Sequence, residues 1–369
     1  YEVTKKEYEE IRQLGEGLIY ERLKALSQGG DGMTVFNTLG FEHGGVVHLN
    51  DSNIKSLIGG DGAAYPVQKT GKGAVAFVKS VPSKGYAGFA IGKDATETES
   101  PFLIQPNGIE TPFYCIKIDE NGAFTSVYDK ENGREVLQPN TRGNLMRVYE
   151  DKPIYYDNWD IDIFHTEKSW DVDDVLRMEW VERGPVRAAL LVEHQFQHSF
   201  FRQKIYFYAD SRRIDFENRI DWKEHQHLLK VHFPVEIHSD EATFEIQFGN
   251  VTRKTHHNTS WDVARFESCG HRWIDLGEGG YGVSLLNDCK YGHSVNDGNM
   301  ALTLIKSGIE PNPVADQEEH FFTYSLYPHA GNWREAGTAR EAAALNQPFY
   351  AQAGGQKGEN YSLFSLNAE

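Results

Sequence analysis

The sequence predicts a mainly β protein with one long N-terminal helix. Beyond residue 33, apolar and polar residues alternate with a period of two in run after run, which puts one side of an extended chain into a core. Aromatic residues make up 12% of the chain, a share that suits broad sheet faces packed on one another. Only residues 4–26 and 336–345 show the three-and-four spacing of an amphipathic helix. An antiparallel sandwich of large sheets is therefore expected. No repeat of 20 to 50 residues is visible, which disfavours a propeller or solenoid.

In the N-terminal helix, Tyr8, Ile11, Leu14, Leu18, Ile19, Leu23 and Leu26 form the apolar stripe. Gly15 and Gly17 weaken it by up to about 1 kcal/mol each relative to alanine, and Gly29-Gly30-Asp31-Gly32 ends it. A lone stripe of this length needs cover, so residues 1–28 read as the last helix of a bundle. Val35-Phe36-Asn37, Val46 to Leu49, Ala74 to Lys79 and Gly85 to Ile91 then read as strands separated by glycine and proline turns, giving a small β-sandwich over 29–100. Residues 93–101 are polar and unpatterned, with a boundary near Pro101. The large β unit is expected over 101–369. Its strands include Ile205 to Tyr208, Ile214, Phe216 and Ile220, the alternating Leu229 to Ile237, the run Phe244, Ile246 and Phe248, and Phe322, Tyr324 and Leu326. Glu131 to Arg134 is a hairpin turn, and Pro234 inside its strand implies an edge or a bulge.

The 369 residues carry 37 Lys and Arg against 54 Asp and Glu, a net charge of -17. That length suggests two or three domains. The acidic balance, with no cluster of basic residues, argues against a nucleic-acid partner. Apolar runs such as Ala188 to Val192 are far short of the roughly 20 residues that span a bilayer, and no secretory signal is seen. Cys115, Cys269 and Cys289 are widely separated and suggest neither a disulfide framework nor a CxxC metal site. A reducing compartment, the cytoplasm, is the simplest home. The chain starts at Tyr1 rather than Met and stops soon after Phe364-Ser365-Leu366-Asn367, which reads as a piece of a longer protein.

Two clusters could carry chemistry. Tyr155-Tyr156-Asp157-Asn158-Trp159-Asp160-Ile161-Asp162 joins aromatic platforms to carboxylates. Sugars stack CH faces on rings and donate hydroxyl hydrogens to carboxylates. An acidic surface loop with a tryptophan plugging the core has the same composition. Asn287-Asp288-Cys289-Lys290-Tyr291-Gly292-His293 follows the buried-looking strand Gly282 to Leu286, where polar groups face a ligand from a rigid support; an ordinary turn reads the same way. His225, His227, His232, His256 and His257 raise the question of metal, but no third ligand can be assigned to His225 and His227. No GxSxG motif occurs, Cys289 has no activating partner, and the glycine-rich segments 59–62 and 277–280 lack the features of a phosphate loop. Asp157, Asp160, Asp162 and Asp288 are candidates for a glycosidase pair, for which the separation decides the outcome.

At these residues the chain resembles the retaining α-mannosidases of glycoside hydrolase family 38, most closely the cytosolic and bacterial branch. The resemblance runs through Tyr149-Glu150-Asp151-Lys152-Pro153 into Asp157-Asn158-Trp159-Asp160, then Trp180 to Arg187, Trp273 to Val283, Asn287 to His293, Ala315-Asp316-Gln317 and Tyr327-Pro328-His329. It covers essentially the whole chain in order. It implies an α/β barrel ahead of this sequence that holds zinc through two His and two Asp, one Asp being the nucleophile, with a further Asp as acid. A helical bundle, a small sandwich and a β-supersandwich similar to that of galactose mutarotase follow. His256-His257-Asn258 superficially resembles a barrel-side zinc motif, but lies in the wrong domain and lacks its Asp.

The resemblance further implies that the β domains complete the sugar pocket with a tyrosine and an arginine. The loop at Tyr155-Tyr156-Asp157 corresponds to the first, with Trp159 and Asp160 as further sugar-binding candidates beside it. Lys290, two residues after Asp288 and beside Tyr291, corresponds to the second, without the planar fork of arginine. The expected function is thus the C-terminal part of a zinc-dependent retaining α-mannosidase acting on α-mannosides or oligomannose. No residue here would be catalytic, no metal would be bound by this chain, and the chain alone would be inactive. Its partners would be the preceding barrel and bundle, and oligomerisation is common in that family. A free-standing carbohydrate-binding module is the second expectation, and a mutarotase-like epimerase, which needs a His and Glu pair in a sheet concavity, the third.

Overall fold

Glu2–Leu26 forms one helix of 25 residues, none of them buried. Arg12 reaches Glu9 and Glu16, one turn away on either side, at 2.7 Å each. The computed structural model describes residues 2–96 and 98–364; Ser365, Leu366 and Asn367, noted above, lie outside them. Among the described residues no helix is long and apolar enough to cross a membrane.

The chain divides into two compact units, one made of residues 1–99, 184–186 and 347–369, the other of 100–183 and 187–346. In the first, strands run in the order His43–Leu49, Gly73–Val81, Ala64–Thr70, Ser56–Ile58, Gly85–Gly92, Met33–Asn37, Tyr350–Ala353, and Asn360–Ser362 pairs with Gly85–Gly92. The two C-terminal strands belong here, whereas the sequence reading placed everything after 101 in the large unit. Their attachment is backbone pairing, Met33 to Ala353 and Tyr86 to Tyr361, and a register between segments over 250 positions apart leaves no mark on the local pattern. Val35, Val47, Leu57 and Val78 make the core of this unit.

The second unit has antiparallel sheets of five, six and nine strands. The six-stranded sheet runs Ser169–Asp171, Leu145–Glu150, His227–Pro234, Asn299–Ser307, Gly292–Asn296, Ser268–Cys269. The nine-stranded sheet has Ser199–Tyr208, Ile214–Asp221, Glu319–Ala330 and Tyr281–Asn287 at its centre. One core joins all three. Phe216 of the nine-stranded sheet is fully buried and lies 5.6 Å from Phe124 of the five-stranded sheet, 5.6 Å from Phe233 of the six-stranded sheet and 4.9 Å from Tyr324 beside it.

Two strand expectations need correction. His227–Pro234 is an interior strand, paired on both sides, and Pro234 is its last residue. The proline is tolerated because it ends the ladder. A register shift does occur, between Leu229 and Lys230. Phe248 is not in a strand: it sits with φ 60° at the tip of the hairpin Glu241–Ile246 and Gly249–Lys254, fully exposed. Residues 336–345 give the helix Thr338–Asn346, and Glu131 to Arg134 is the expected turn, closed by Asp129 pairing with Arg134.

Two buried histidines set a pH limit on this fold. Burial lowers His232 to about 3, with its ring nitrogens bonded to the Tyr149 hydroxyl at 2.9 Å and the Asn299 amide at 3.0 Å. Burial likewise lowers His293 to about 3. Below the ordinary histidine value of about 6.5 the unfolded chain binds protons that the folded chain refuses. Stability is therefore complete above that value and falls by about 1.4 kcal/mol per pH unit for each histidine as acid is added. Urea titrations between pH 7 and pH 4.5 should follow this slope, and His293→Leu should make it shallower; an unchanged slope in the variant would contradict the account. Phe216→Ala should cost about 3–5 kcal/mol at pH 7, measured the same way, because its cavity opens where three sheets meet.

Candidate functional site

Three stretches build the candidate site, all in the larger unit: an aromatic loop at 151–162, a segment at 308–318, and a turn at 287–291.

In the aromatic loop Asp157 is turned inward. It is 5% exposed, its Oδ1 accepts the backbone N–H groups of Ile309 and Glu310 at 2.9 and 2.8 Å, and its Oδ2 accepts from the Gln226 amide at 3.1 Å. Burial by itself would raise this carboxyl, but the donors from Glu310, Gln226 and Ile309 outweigh it and hold it below the usual range. Lys306 donates to the Asp157 carbonyl and pairs with buried Asp151. Asn158 donates to the Asn312 carbonyl at 3.1 Å. Gly308 is required in this junction, since a Cβ there would fall 2.2 Å from Asn158 Oδ1 and 2.7 Å from Asp157 Oδ1.

With its base pinned, the tip of the loop points outward. Tyr156 sits at φ 49° and its carbonyl accepts from the N–H groups of Trp159 and Asp160 at 2.7 and 3.0 Å. Tyr155, Tyr156 and Trp159 are all exposed, with ring centroids 6.5 Å apart for the first pair and 5.5 Å for the second. Asp160 is also exposed. Asp162 instead caps the Ile154 N–H at 2.9 Å. A cleft of about 360 Å³ at the loop base is lined by Lys152, Asp162, Phe164 and His165 among others.

The turn 287–291 is held in a similar way. Buried Asn287 accepts the Lys290 N–H and donates to the His271 carbonyl, both at 2.8 Å. Asp288 exchanges hydrogen bonds with Thr323, its Oδ2 accepting the Thr323 N–H at 2.9 Å and its own N–H donating to the Thr323 carbonyl at 3.1 Å. Among the described residues its buried Oδ1 has no hydrogen-bond partner, and burial raises its pKa. Lys290 lies 4.7 Å over the Phe322 ring; burial lowers its pKa, against the charges of Cys289, Asp316 and Asp288. Burial and the Asp288 carboxylate push the Cys289 thiol up to about 12, which removes it as a nucleophile at neutral pH. The Tyr291 ring is half exposed.

The segment 308–318 holds the aromatic loop at one end, where Glu310 and Asn312 meet it, and the charge of Asp316 near its other end favours the protonated Lys290. Of the eight residues singled out from the sequence, Tyr155, Tyr156, Trp159, Asp160 and Tyr291 are exposed and Lys290 is half-buried, whereas Asp157 and Asp288 are anchors. Asp157 corrects the expectation of a sugar-facing carboxylate: three donors already fill it. The organising role of 308–318 was missed, although Ala315-Asp316-Gln317 marks its far end.

Two further constellations are structural. Ser284, His329 and Asp275 form a buried group in which Nε2 of His329 meets both Ser284 at 3.2 Å and Asp275 at 2.8 Å. A hydrolase triad needs serine and aspartate on opposite ring nitrogens, so this one cannot relay a proton. Buried Lys230 of the six-stranded sheet pairs with Glu267, just before the strand Ser268–Cys269, and donates to Ser294 at 2.8 Å. Among the described residues no group of three or more His, Cys, Asp or Glu side chains could hold a metal ion. His232 is committed to Tyr149 and Asn299, and His256 lies 3.6 Å from Asp262.

Comparisons with known proteins agree on one family. Residues 109–314, more than half the chain, match the Glycosyl hydrolases family 38 C-terminal domain. Alpha-mannosidase G of Dictyostelium discoideum is 38% identical over 248 residues, 66% of this chain and 23% of that protein. Human Alpha-mannosidase 2C1 is 32% identical over 356 residues, 93% of this chain and 32% of that protein. The chain thus spans about a third or less of these relatives. An α-mannosidase crystal structure from Enterococcus faecalis V583 superposes with TM-score 0.75 at 17% identity, covering 96% of this chain and 50% of that one, which establishes the common fold. By sequence the chain belongs to glycosyl hydrolase family 38 and carries its C-terminal domain.

Proposed function

We propose that this chain is the β portion of a retaining, zinc-dependent α-mannosidase and supplies one wall of its mannose site. The observation that carries the reading is the exposed ring group Tyr155, Tyr156 and Trp159 on a loop locked by Asp157 to the segment that begins at 308. The rings offer flat apolar faces to sugar CH groups. Asp160 accepts from a hydroxyl and Lys290 donates to one, as a single compact charge rather than a two-pronged donor. Tyr291 closes the far side. Segments rigidly anchored by buried carboxylates present these groups in fixed positions, which lowers the entropy lost on binding. The names of the relatives, all α-mannosidases, support α-mannosides as the substrate class.

Retaining hydrolysis requires a nucleophile and an acid about 5–5.5 Å apart, with the acid's pKa raised. Asp157 is unsuited to either role, being fully bonded and held ionised. In this reading the nucleophile, the acid and the zinc ligands all lie on sequence outside these residues, and no step of the mechanism passes through a metal held here. The chain contributes binding and orientation of the sugar. The second reading, a module that binds mannose unaided, is favoured by the same exposed rings.

Three measurements test these readings. In the intact parent enzyme, Trp159→Ala and Lys290→Ala should each lower kcat/KM for an aryl α-mannoside about tenfold, equal to about 1.4 kcal/mol, mainly through KM, with Lys290→Arg recovering most of the loss; unchanged kinetics in both alanine variants would remove the wall from the site. The 369-residue chain alone should show no turnover of the same substrate. Calorimetric titration of that chain with mannose itself separates wall from module, because half a pocket binds the monosaccharide weakly and a module binds it saturably.

A further inference from the structure

We propose that a cleft on the other side of Tyr291 is a second sugar subsite, one that takes a further hexose unit of an α-mannoside oligosaccharide. The choice of sugar rests on the mannosidase reading; the existence of the subsite rests on the cleft itself. It encloses about 570 Å³ between the hairpin tip at 247–250 and the residues around Trp333, within the range of small-molecule sites, about 300–1,000 Å³.

Its floor and walls have the two properties that distinguish carbohydrate recognition from apolar ligand binding. Buried Trp273 and half-buried Trp333 pack with centroids 4.7 Å apart, and Arg334 lies 4.0 Å over the Trp333 ring, so the Trp333 ring at the cleft is held in place rather than free to turn. Phe248, fully exposed at φ 60°, stands at the opposite rim. Its side chain buries nothing in the fold. The polar lining includes the planar side chains of Gln247 and Asn250 and the pair Glu245–Arg272. Glu245 is 8% exposed and accepts from the Arg272 backbone at 2.8 Å and from its guanidinium, fixing both groups. Flat rings faced by planar hydrogen-bonding groups match a pyranose, which has an apolar face and an equator of hydroxyls.

Continuity with the first site fixes what kind of ligand arrives. His271 lines the cleft, and its ring is 5.3 Å from that of Tyr291. The same segment is tied to the turn by Asn287, whose amide donates to the His271 carbonyl, and by the Gly270 N–H, which donates to the Tyr291 carbonyl at 2.9 Å. The two surfaces therefore share one wall, and a ligand passing over Tyr291 occupies both. A branched or extended mannoside fits that description, and a monosaccharide does not.

The test uses the 369-residue chain with ¹⁵N-labelled tryptophan, whose seven indoles report separately. On titration with α-linked mannotriose, the Trp273 and Trp333 signals should shift saturably, and Trp159 should report the first site in the same experiment. Trp333→Leu should weaken the shift at Trp273 at least about tenfold, and Phe248→Ser, at a position that buries nothing, should weaken it severalfold with no change in melting temperature. Trp159→Ala should leave it in place. A shift untouched by both cleft variants, or no shift at either cleft tryptophan, overturns the subsite while leaving the mannoside reading to its own test in the parent enzyme. Saturable binding of maltotriose in place of mannotriose overturns the assignment of the ligand to mannosides.

Discussion

The contact on which the large unit depends is the aromatic junction at Phe216. The five-, six- and nine-stranded sheets each bring one ring to it, Phe124, Phe233 and Phe216 itself, with Tyr324 stacked alongside. Three sheets meeting at one point must agree in register, because a one-residue slip in any strand would turn its ring outward. The Tyr324 hydroxyl strengthens that constraint, since it must still find a partner inside the core: it donates to Asn144 at 2.6 Å and accepts from Gln203 at 2.8 Å. A buried hydroxyl with both bonds made is compatible with one packing arrangement and penalises the alternatives. Everything on the rim of the unit inherits its position from this junction.

The rim loops are fixed by a different device. Where a loop has too few apolar residues to pack, a buried carboxylate collects backbone N–H groups from a neighbouring segment. Asp157 does this for Ile309 and Glu310, and Asp288 for Thr323. Such bonds are charge-assisted, about twice as strong as neutral ones, and they satisfy amides that would otherwise be buried unpaired. The consequence for the candidate site is that its acidic residues divide into anchors and presenters. Asp157 and Asp288 hold the loops, while the rings and Asp160, Lys290 and Tyr291 are left for a ligand.

That division explains what could and could not be read from the sequence. Alternation found the strands around Phe216, Leu229 and Tyr324 because one face of each is buried, and burial is what composition encodes. Glycine punctuation found the turn at 131–134 and the end of the first helix. The same alternation extended the strand from Phe244 through Phe248, although Phe248 points into solvent; a period-two pattern cannot tell an inward phenylalanine from one at a turn. Strands Tyr350–Ala353 and Asn360–Ser362 attach through backbone bonds to residues over 250 positions away, which no local pattern reports. The aromatic and acidic residues of 155–160 stood out by type, but whether an aspartate faces a sugar or a backbone amide depends on segment 308–318, and only the fold brings that segment to it.

The titratable groups of the large unit point the same way. Inside it, charges are paired off: Asp215 with Arg213, Asp129 with Arg212, Lys230 with Glu267. Asp215 illustrates the cost and its compensation, since burial would raise its carboxyl but Arg213, Ser325 and Tyr208 together hold it below the usual range. A general acid needs the opposite environment, a carboxyl kept protonated near neutrality yet open to the substrate. Asp288 has the raised pKa but not the access, because Thr323 takes one oxygen and the other is buried. Asp160 lies exposed on the loop tip, open to a ligand but not enclosed. Since neither carboxylate is both enclosed and open to a ligand, the surface is better suited to holding and orienting a sugar than to moving its protons, and the exposed rings of the loop are the groups that such a task requires.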